Sequence, residues 1–255
     1  SSAIQRSCNP YFFRLSNQPG AERMVTALTM LGYGQPTGIP VPNESGGIFA
    51  GSKSWRAANR DVTITPATLA QLSIGQGDTL ATPMQLCAMV SAIANGGRYY
   101  QPRLVKSAVL PDGTVLVEDR PTLKVDLIRE GMKPADLEKI RLGMWKAVNE
   151  PGGTAGRARI PDVEVAAKTG TAQVNPVLNT HNAWTVAFAP FDEPRYAICV
   201  LVENGKSGGA VCGPLVHLIL RGLLARDDGM RLPLSKLSPV RGNKDPIPQS
   251  DLPED

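Results

Sequence analysis

Histidine occurs only twice in this 255-residue chain, at His181 and His217, and neither stands at a metal-ligand spacing from a second ligand. Cysteine is sparse as well, and Cys8, Cys87, Cys199 and Cys212 include no C-x-x-C pair. No metal and no other cofactor is implied. The four thiols read as small buried hydrophobes. Cys199 and Cys212, separated by the turn-rich residues 205–209, are the one pair that a fold could join in an oxidising compartment. Aromatic residues make up only 5% of the chain, the net charge is +4, and Lys and Arg are scattered among acids without a basic stripe. Nucleic acid is therefore excluded as a partner. No run of eighteen apolar residues occurs and no basic stretch precedes an apolar one at the N-terminus, so neither a membrane span nor a signal peptide is predicted. An initiator Met is missing too: the chain opens Ser-Ser-Ala-Ile-Gln-Arg-Ser-Cys-Asn, and is expected to be a fragment.

What is present is a globular composition, 42% hydrophobic and 20% charged, enough to bury the core of one large domain or most of one. Residues 10–32 read as helical, with Val25, Leu28 and Leu31 on one face and Gly32 as the stop. The Gly- and Pro-rich residues 33–61 predict irregular structure. Thr82-Pro83 is a cap with proline in the first turn of a helix that turns Leu86, Met89, Val90 and Ile93 inward and closes at Gly96-Gly97. Residues 105–117 alternate about Pro111, Asp112 and Gly113, which predicts a hairpin. A second amphipathic helix starts at Pro134, with Leu137, Ile140, Met144 and Val148 spaced by three and four. Three short strands at about 163–174, 183–190 and 195–203 predict an antiparallel meander. Residues 215–224 read as an apolar helix covering one face of that sheet, and residues 233–255 as a Pro-rich, charged, disordered tail.

Two short strings carry chemistry. Lys168-Thr169-Gly170-Thr171 lies on a predicted strand and makes a cationic, hydroxyl-rich edge that Gly170 leaves open to a substrate backbone. Such an edge suits a carboxylate-terminated peptide. Ser7-Cys8-Asn9 lies just ahead of a helical Tyr-Phe-Phe; taken singly it is a helix cap. S-x-N followed by K-T-G is nevertheless the order of the motifs of serine β-lactamases and penicillin-binding proteins.

With those motifs the chain resembles class B penicillin-binding proteins, and within them the elongation-specific, penicillin-binding protein 2 type of the rod-shape machinery. The likeness spans residues 1 to about 226 and also takes in Ser73-Ile-Gly-Gln-Gly77, Leu80-Ala-Thr-Pro-Met-Gln-Leu86, Ala94-Asn-Gly-Gly97, Ala183-Trp184, Phe188-Ala-Pro190, and Val202-Glu-Asn-Gly205 with Gly208-Gly209. These strings look like packing and turn elements and identify the family rather than the chemistry. The resemblance implies an α+β fold, a partial penicillin-binding and β-lactamase-like transpeptidase domain over residues 1–226. Its antiparallel sheet is flanked by helices, and residues 227–255 follow as a tail. Ser7 and Lys168 would then shuttle the proton of acyl transfer. Asn9 would hold the amide of the donor peptide, Thr169 and Thr171 its terminal carboxylate, and Gly170 would permit the approach. The Thr171 backbone N–H would be one of two oxyanion-hole donors.

One departure is decisive. No lysine in the chain has Ser or Thr three positions before it, so the S-x-x-K motif with the nucleophilic serine is absent. In the family that motif lies upstream on a helix, so the first strands, the nucleophile helix and the membrane anchor are expected to be missing from this chain. The last strand would then lack a neighbour, and poor solubility of the chain alone is expected. A smaller departure is Asn182, which stands before Ala183-Trp184 where the family more often has His. The complete protein would be a peptidoglycan D,D-transpeptidase at the periplasmic face of the inner membrane, cross-linking the cell wall during elongation. Its partners would be the D-Ala-D-Ala stem peptide, β-lactam antibiotics, its own missing N-terminal part and a rod-type glycosyltransferase. The chain as it stands would be inactive. The alternatives are a noncatalytic split-domain or pseudoenzyme binding module, and a β-lactamase or D,D-carboxypeptidase. A Ser-His-Asp site on His181 or His217 lacks the G-x-S-x-G elbow.

Overall fold

In a computed structural model, which describes residues 2–175 and 178–227, a three-stranded antiparallel sheet carries helices on both faces. The chain enters through a short helix α1 (Ser2–Gln5), then α2 (Asn9–Ser16) and α3 (Ala21–Met30). The single helix expected over residues 10–32 is thus two. Pro19 and Gly20 part them: Gly20 holds φ +78°, a conformation that costs most residues a Cβ clash, and serves as the start of α3. Val25 and Leu28 do face inward, but only half-buried.

The Gly- and Pro-rich region is not wholly irregular. It contains α4 (Lys53–Ala58), capped where the Trp55 N–H donates to Ser52 Oγ at 3.3 Å. The helix α5 (Pro66–Ser73) follows, with a capping box between Thr65 and Thr68. No helix is expected there from the sequence, although the Thr65-Pro66 start of α5 repeats the Thr82-Pro83 signal of α6 (Pro83–Ala94). In α6 Gln85 is fully buried. Its Oε1 accepts the Thr82 N–H at 2.8 Å, and its Nε2 donates to the carbonyls of Gly32, Gln35 and Gly46 at 3.1, 2.9 and 2.7 Å. One side chain therefore fastens the long loop to the central helix.

Beyond α6 run β1 (Arg98–Tyr100), β2 (Ser107–Val109), β3 (Val115–Glu118) and β4 (Leu123–Asp126). The strands β2 and β3 form the expected hairpin, while β1 pairs with β4. The helix α7 (Pro134–Asn149) begins where Pro134 predicted it and buries Leu137, Met144 and Val148. The meander then follows as β5 (Ala166–Asn175), β6 (Thr180–Ala189) and β7 (Tyr196–Val202), in the order β5-β6-β7. Both outer strands present an edge that no described strand pairs.

Alternation along these strands divides the core. Ala167, Ala187 and Ala189 face one way, onto Val216, Leu220 and Leu224 of α8 (Gly213–Asp227). Ala166, Val186 and Phe188 face the other way, onto Val90 of α6 and Met144 of α7. The segment Gly208–Asp227 is long and apolar enough to cross a membrane by length and composition, which the residue-run criterion did not register. Here it packs as a core helix, with Val216 and Leu220 fully buried. All four cysteines are free thiols. Cys212 donates to the Ala183 carbonyl, and burial pushes the Cys199 thiol up to about 12. The expected tail lies outside the described residues, apart from Asp227 at the end of α8.

Candidate active site

Ser7 and Lys168 come from opposite ends of the chain and meet. The α1 helix packs on α7, and two hydrogen bonds fix its exit: Gln5 Nε2 donates to the Pro151 carbonyl at 3.0 Å, and the Thr154 N–H donates to the Gln5 carbonyl at 3.3 Å. The turn that follows puts Ser7 at φ +50°, and α2 starts without a side-chain cap from Ser7, Cys8 or Asn9. Ser7-Cys8-Asn9 thus does mark the start of α2, with Cys8 as its N-cap, but it does so without a side-chain cap hydrogen bond. Instead the Lys168 ammonium, reaching off β5, donates to Ser7 Oγ and, at 2.5 Å, to the Thr169 carbonyl.

Lys168 shares a sheet face with Ala166 and stands opposite Val186, so its stem lies against the apolar core. That burial pulls its pKa down from 10.5 to about 8, because a charge is poorly solvated there. A lysine so placed holds its proton weakly enough to exchange it with a bonded hydroxyl near neutral pH.

Around this pair lies a cleft of about 360 Å³. It brings together every residue singled out from the sequence: Ser7, Asn9, Lys168, Thr169, Gly170 and Thr171. The Asn9 side chain is exposed at the start of α2. Thr169 Oγ1 donates to Thr154 Oγ1 at 2.9 Å, so its hydroxyl is already oriented. A methyl group at Gly170 would touch only Trp184 Cβ, at 3.5 Å, so packing does not demand glycine there. The open space above Gly170 belongs to the cleft.

The cleft also holds residues to which the sequence reading gave no role. Thr154, Ile74, Gln76 and the Ser207-Gly208-Gly209 turn line it. Gly208 sits so close to the sheet that a Cβ there would lie 2.4 Å from the Trp184 carbonyl oxygen and 2.5 Å from that of Gly170. A Cβ at Gly209 would lie 2.3 Å from the Thr154 oxygen. The glycine pair visible in the sequence was the signal. Gln76 was visible too, flanked by Gly75 and Gly77 at φ +73° and +71°. Thr154 had no sequence signal, since its place depends on the chain folding back to Gln5 and Thr169.

Asn182, in the position where the resemblance expected His, accepts the Asn204 N–H through Oδ1 at 3.1 Å and so ties the β6 and β7 ends together. His181 meets the Asn179 carbonyl and His217 the Arg159 carbonyl. Neither histidine hydrogen-bonds a serine among the described residues. Groups of His, Cys, Asp and Glu able to hold a metal ion are also absent among the described residues.

The family model described as penicillin binding protein transpeptidase domain matches residues 1–221. Peptidoglycan D,D-transpeptidase MrdA of Acinetobacter baumannii is 32% identical over 221 residues, which is 82% of this chain and 32% of that protein. Stage V sporulation protein D of Bacillus subtilis is 33% identical over 230 residues, covering 87% of this chain and 33% of that one. Among solved structures, Pseudomonas aeruginosa PBP2 in complex with WCK 5153 superposes with a TM-score of 0.74 at 31% identity, over 93% of this chain and 51% of that chain. Helicobacter pylori PBP2 in complex with MreC gives 0.71 at 29% identity, over 87% and 39%. The chain thus spans about a third of the length of the curated relatives it matches.

Proposed function

Because the chain belongs to the transpeptidase family of penicillin-binding proteins, we propose that it supplies two of three active-site motifs to a serine-type peptidoglycan D,D-transpeptidase. In the complete protein a serine from an S-x-x-K motif, which this chain does not contain, attacks the penultimate D-Ala carbonyl of a stem peptide. The terminal D-Ala leaves with a proton, and an amine on a neighbouring strand then takes the acyl group and gives up a proton in turn. Ser7 and Lys168 carry those protons. Asn9 holds the donor amide, while the Thr171 hydroxyl, joined by the Thr169 hydroxyl once it turns from Thr154, binds the terminal carboxylate. The Thr171 N–H donates to the developing oxyanion. β-Lactams acylate the same serine.

The observation that supports this most is the Lys168 to Ser7 hydrogen bond inside a cleft bordered by Thr169, Gly170 and Thr171. Residues 1–226 are the C-terminal part of the transpeptidase domain, acting at the periplasmic face of the inner membrane. The MrdA and PBP2 relatives, one of them solved with MreC, support a place in the elongation machinery, while a rod-type glycosyltransferase as its partner rests on the sequence resemblance alone. The sporulation relative of similar identity leaves that assignment resting on the sequence strings.

Fluorescent penicillin tests the reading. The natural gene product is expected to become covalently labelled, with Lys168→Ala labelled at least a hundredfold more slowly, and the 255-residue chain alone is expected to stay unlabelled. Labelling of the chain alone that vanishes in Lys168→Ala would overturn its proposed inactivity. If the natural gene product takes no label, the second reading holds, a noncatalytic binding module that keeps the peptide cleft.

A further inference from the structure

The cleft-side edge of β5 has no partner strand among the described residues, yet two of its outward carbonyls are occupied. Lys168 Nζ donates to the Thr169 carbonyl at 2.5 Å. Two residues on, Gln76 Nε2 donates to the Thr171 carbonyl at 3.2 Å, across 95 positions of sequence. In an extended strand the N–H and C=O of one residue point to the same side, so the Thr171 N–H faces the cleft with its carbonyl. An extended peptide laid along this edge would pair with both groups, as in strand addition to an open sheet edge. Gln76 stands where the incoming N–H would have to donate.

The Gln76 backbone is held at two points and its side chain at one. Its N–H donates to the Gln71 carbonyl at 3.0 Å, and its own carbonyl accepts Thr79 Oγ1 at 3.1 Å. The carboxamide makes one hydrogen bond, and it lies at the boundary between the cleft and a second pocket of about 190 Å³ lined by Tyr33, Leu86 and Trp184. It can therefore swing off Thr171 by rotation about its own side-chain bonds, without a loop movement.

We propose that Gln76 is a positioning residue, a latch that holds the Thr171 carbonyl until the amide N–H of an acyl-donor peptide replaces it. The inference rests on the peptide reading of the cleft. The latch blunts an edge that would otherwise pair with any extended chain, and it selects for ligands that bring a donor N–H to that point. A ligand without one leaves the latch in place, because displacing it would leave the carbonyl unpaired.

The test compares two ligands in the natural gene product. One is an N-acylated L-Lys-D-Ala-D-Ala peptide. The other is its analogue with an ester oxygen in place of the N–H between L-Lys and D-Ala. Dissociation constants are measured by ligand-observed NMR for wild type, Gln76→Ala and Gln76→Asn, whose amide is one methylene too short to reach. Both variants are expected to bind the amide peptide about two- to tenfold more tightly, the effect of freeing one neutral hydrogen bond, and the ester with unchanged affinity. Equal shifts for both ligands would assign Gln76 a structural role and overturn the latch, as would weaker or unchanged binding of the amide. Failure of both ligands to bind the wild type would overturn the peptide reading of the cleft and the latch with it. Thermal melts matching wild type establish that the variants are folded.

Discussion

The Lys168 ammonium donates to the Ser7 hydroxyl across 161 positions of sequence. Neither residue is placed by its own neighbours alone. Lys168 is aimed by the register of β5 against β6, which sets it opposite Val186. Ser7 is held by a left-handed turn whose flanking Gln5 is tied to the 151–154 loop. The Lys168 to Ser7 contact, and the proton relay proposed for it, thus depends on two separate parts of the chain docking on α7 and the sheet.

Burial of Lys168 opposes folding, and its removal should show this. The folded chain releases the Lys168 proton near 8 and the unfolded chain near 10.5, so between these values the unfolded state binds more protons and stability rises with pH. At pH 7 the penalty is roughly 3 kcal/mol, against about 1 kcal/mol for each of the lost bonds to Ser7 and to the Thr169 carbonyl. Lys168→Met is therefore expected to be more stable than wild type by about 1 kcal/mol at pH 7, with the advantage shrinking as pH rises from 8 to 10.5. Urea titrations at four pH values check it; a gap that widens with pH would refute the burial argument.

Ser7 can be separated into backbone and hydroxyl. At φ +50° glycine avoids the Cβ clash, so Ser7→Gly should be about 1 kcal/mol more stable than Ser7→Ala. Both lack the hydroxyl, and in the natural gene product both should label with fluorescent penicillin about a hundredfold more slowly. Normal labelling of either variant would remove Ser7 from the proton path.

Gln85 should be among the least replaceable residues outside the cleft. Gln85→Leu leaves the carbonyls of Gly32, Gln35 and Gly46 without their donor in a site that excludes water. A loss of about 3 kcal/mol or more is expected. Equilibrium unfolding in urea measures it, and a loss under 1 kcal/mol would mean that the loop finds other donors.

The outer edge of β7 carries a testable consequence for the chain alone. Its seven residues are all partly exposed and none of the described strands pairs that edge. Self-association at micromolar concentration is expected in sedimentation velocity. A cooperative monomer would show that the edge is covered by some other means.

Much of this was legible in the sequence because the signals are local. The Thr-Pro cap of α6, the Pro134 start of α7, the Pro-Asp-Gly hairpin and the short β-branched or apolar runs of β5, β6 and β7 each follow from a few neighbouring residues and the steric rules that govern them. The S-x-N and K-T-G strings named the residues of the cleft in the same way. Tertiary structure alone decided what those residues touch. Gln85 read as one more helical position until the loop folded over it, Thr154 until Gln5 and Thr169 came beside it, and Gln76 until the edge of β5 stood within reach. The same holds for Lys168, whose composition is that of any lysine. Its lowered pKa comes from the core built around its stem, and burial is a property of packed surfaces that no window of sequence contains.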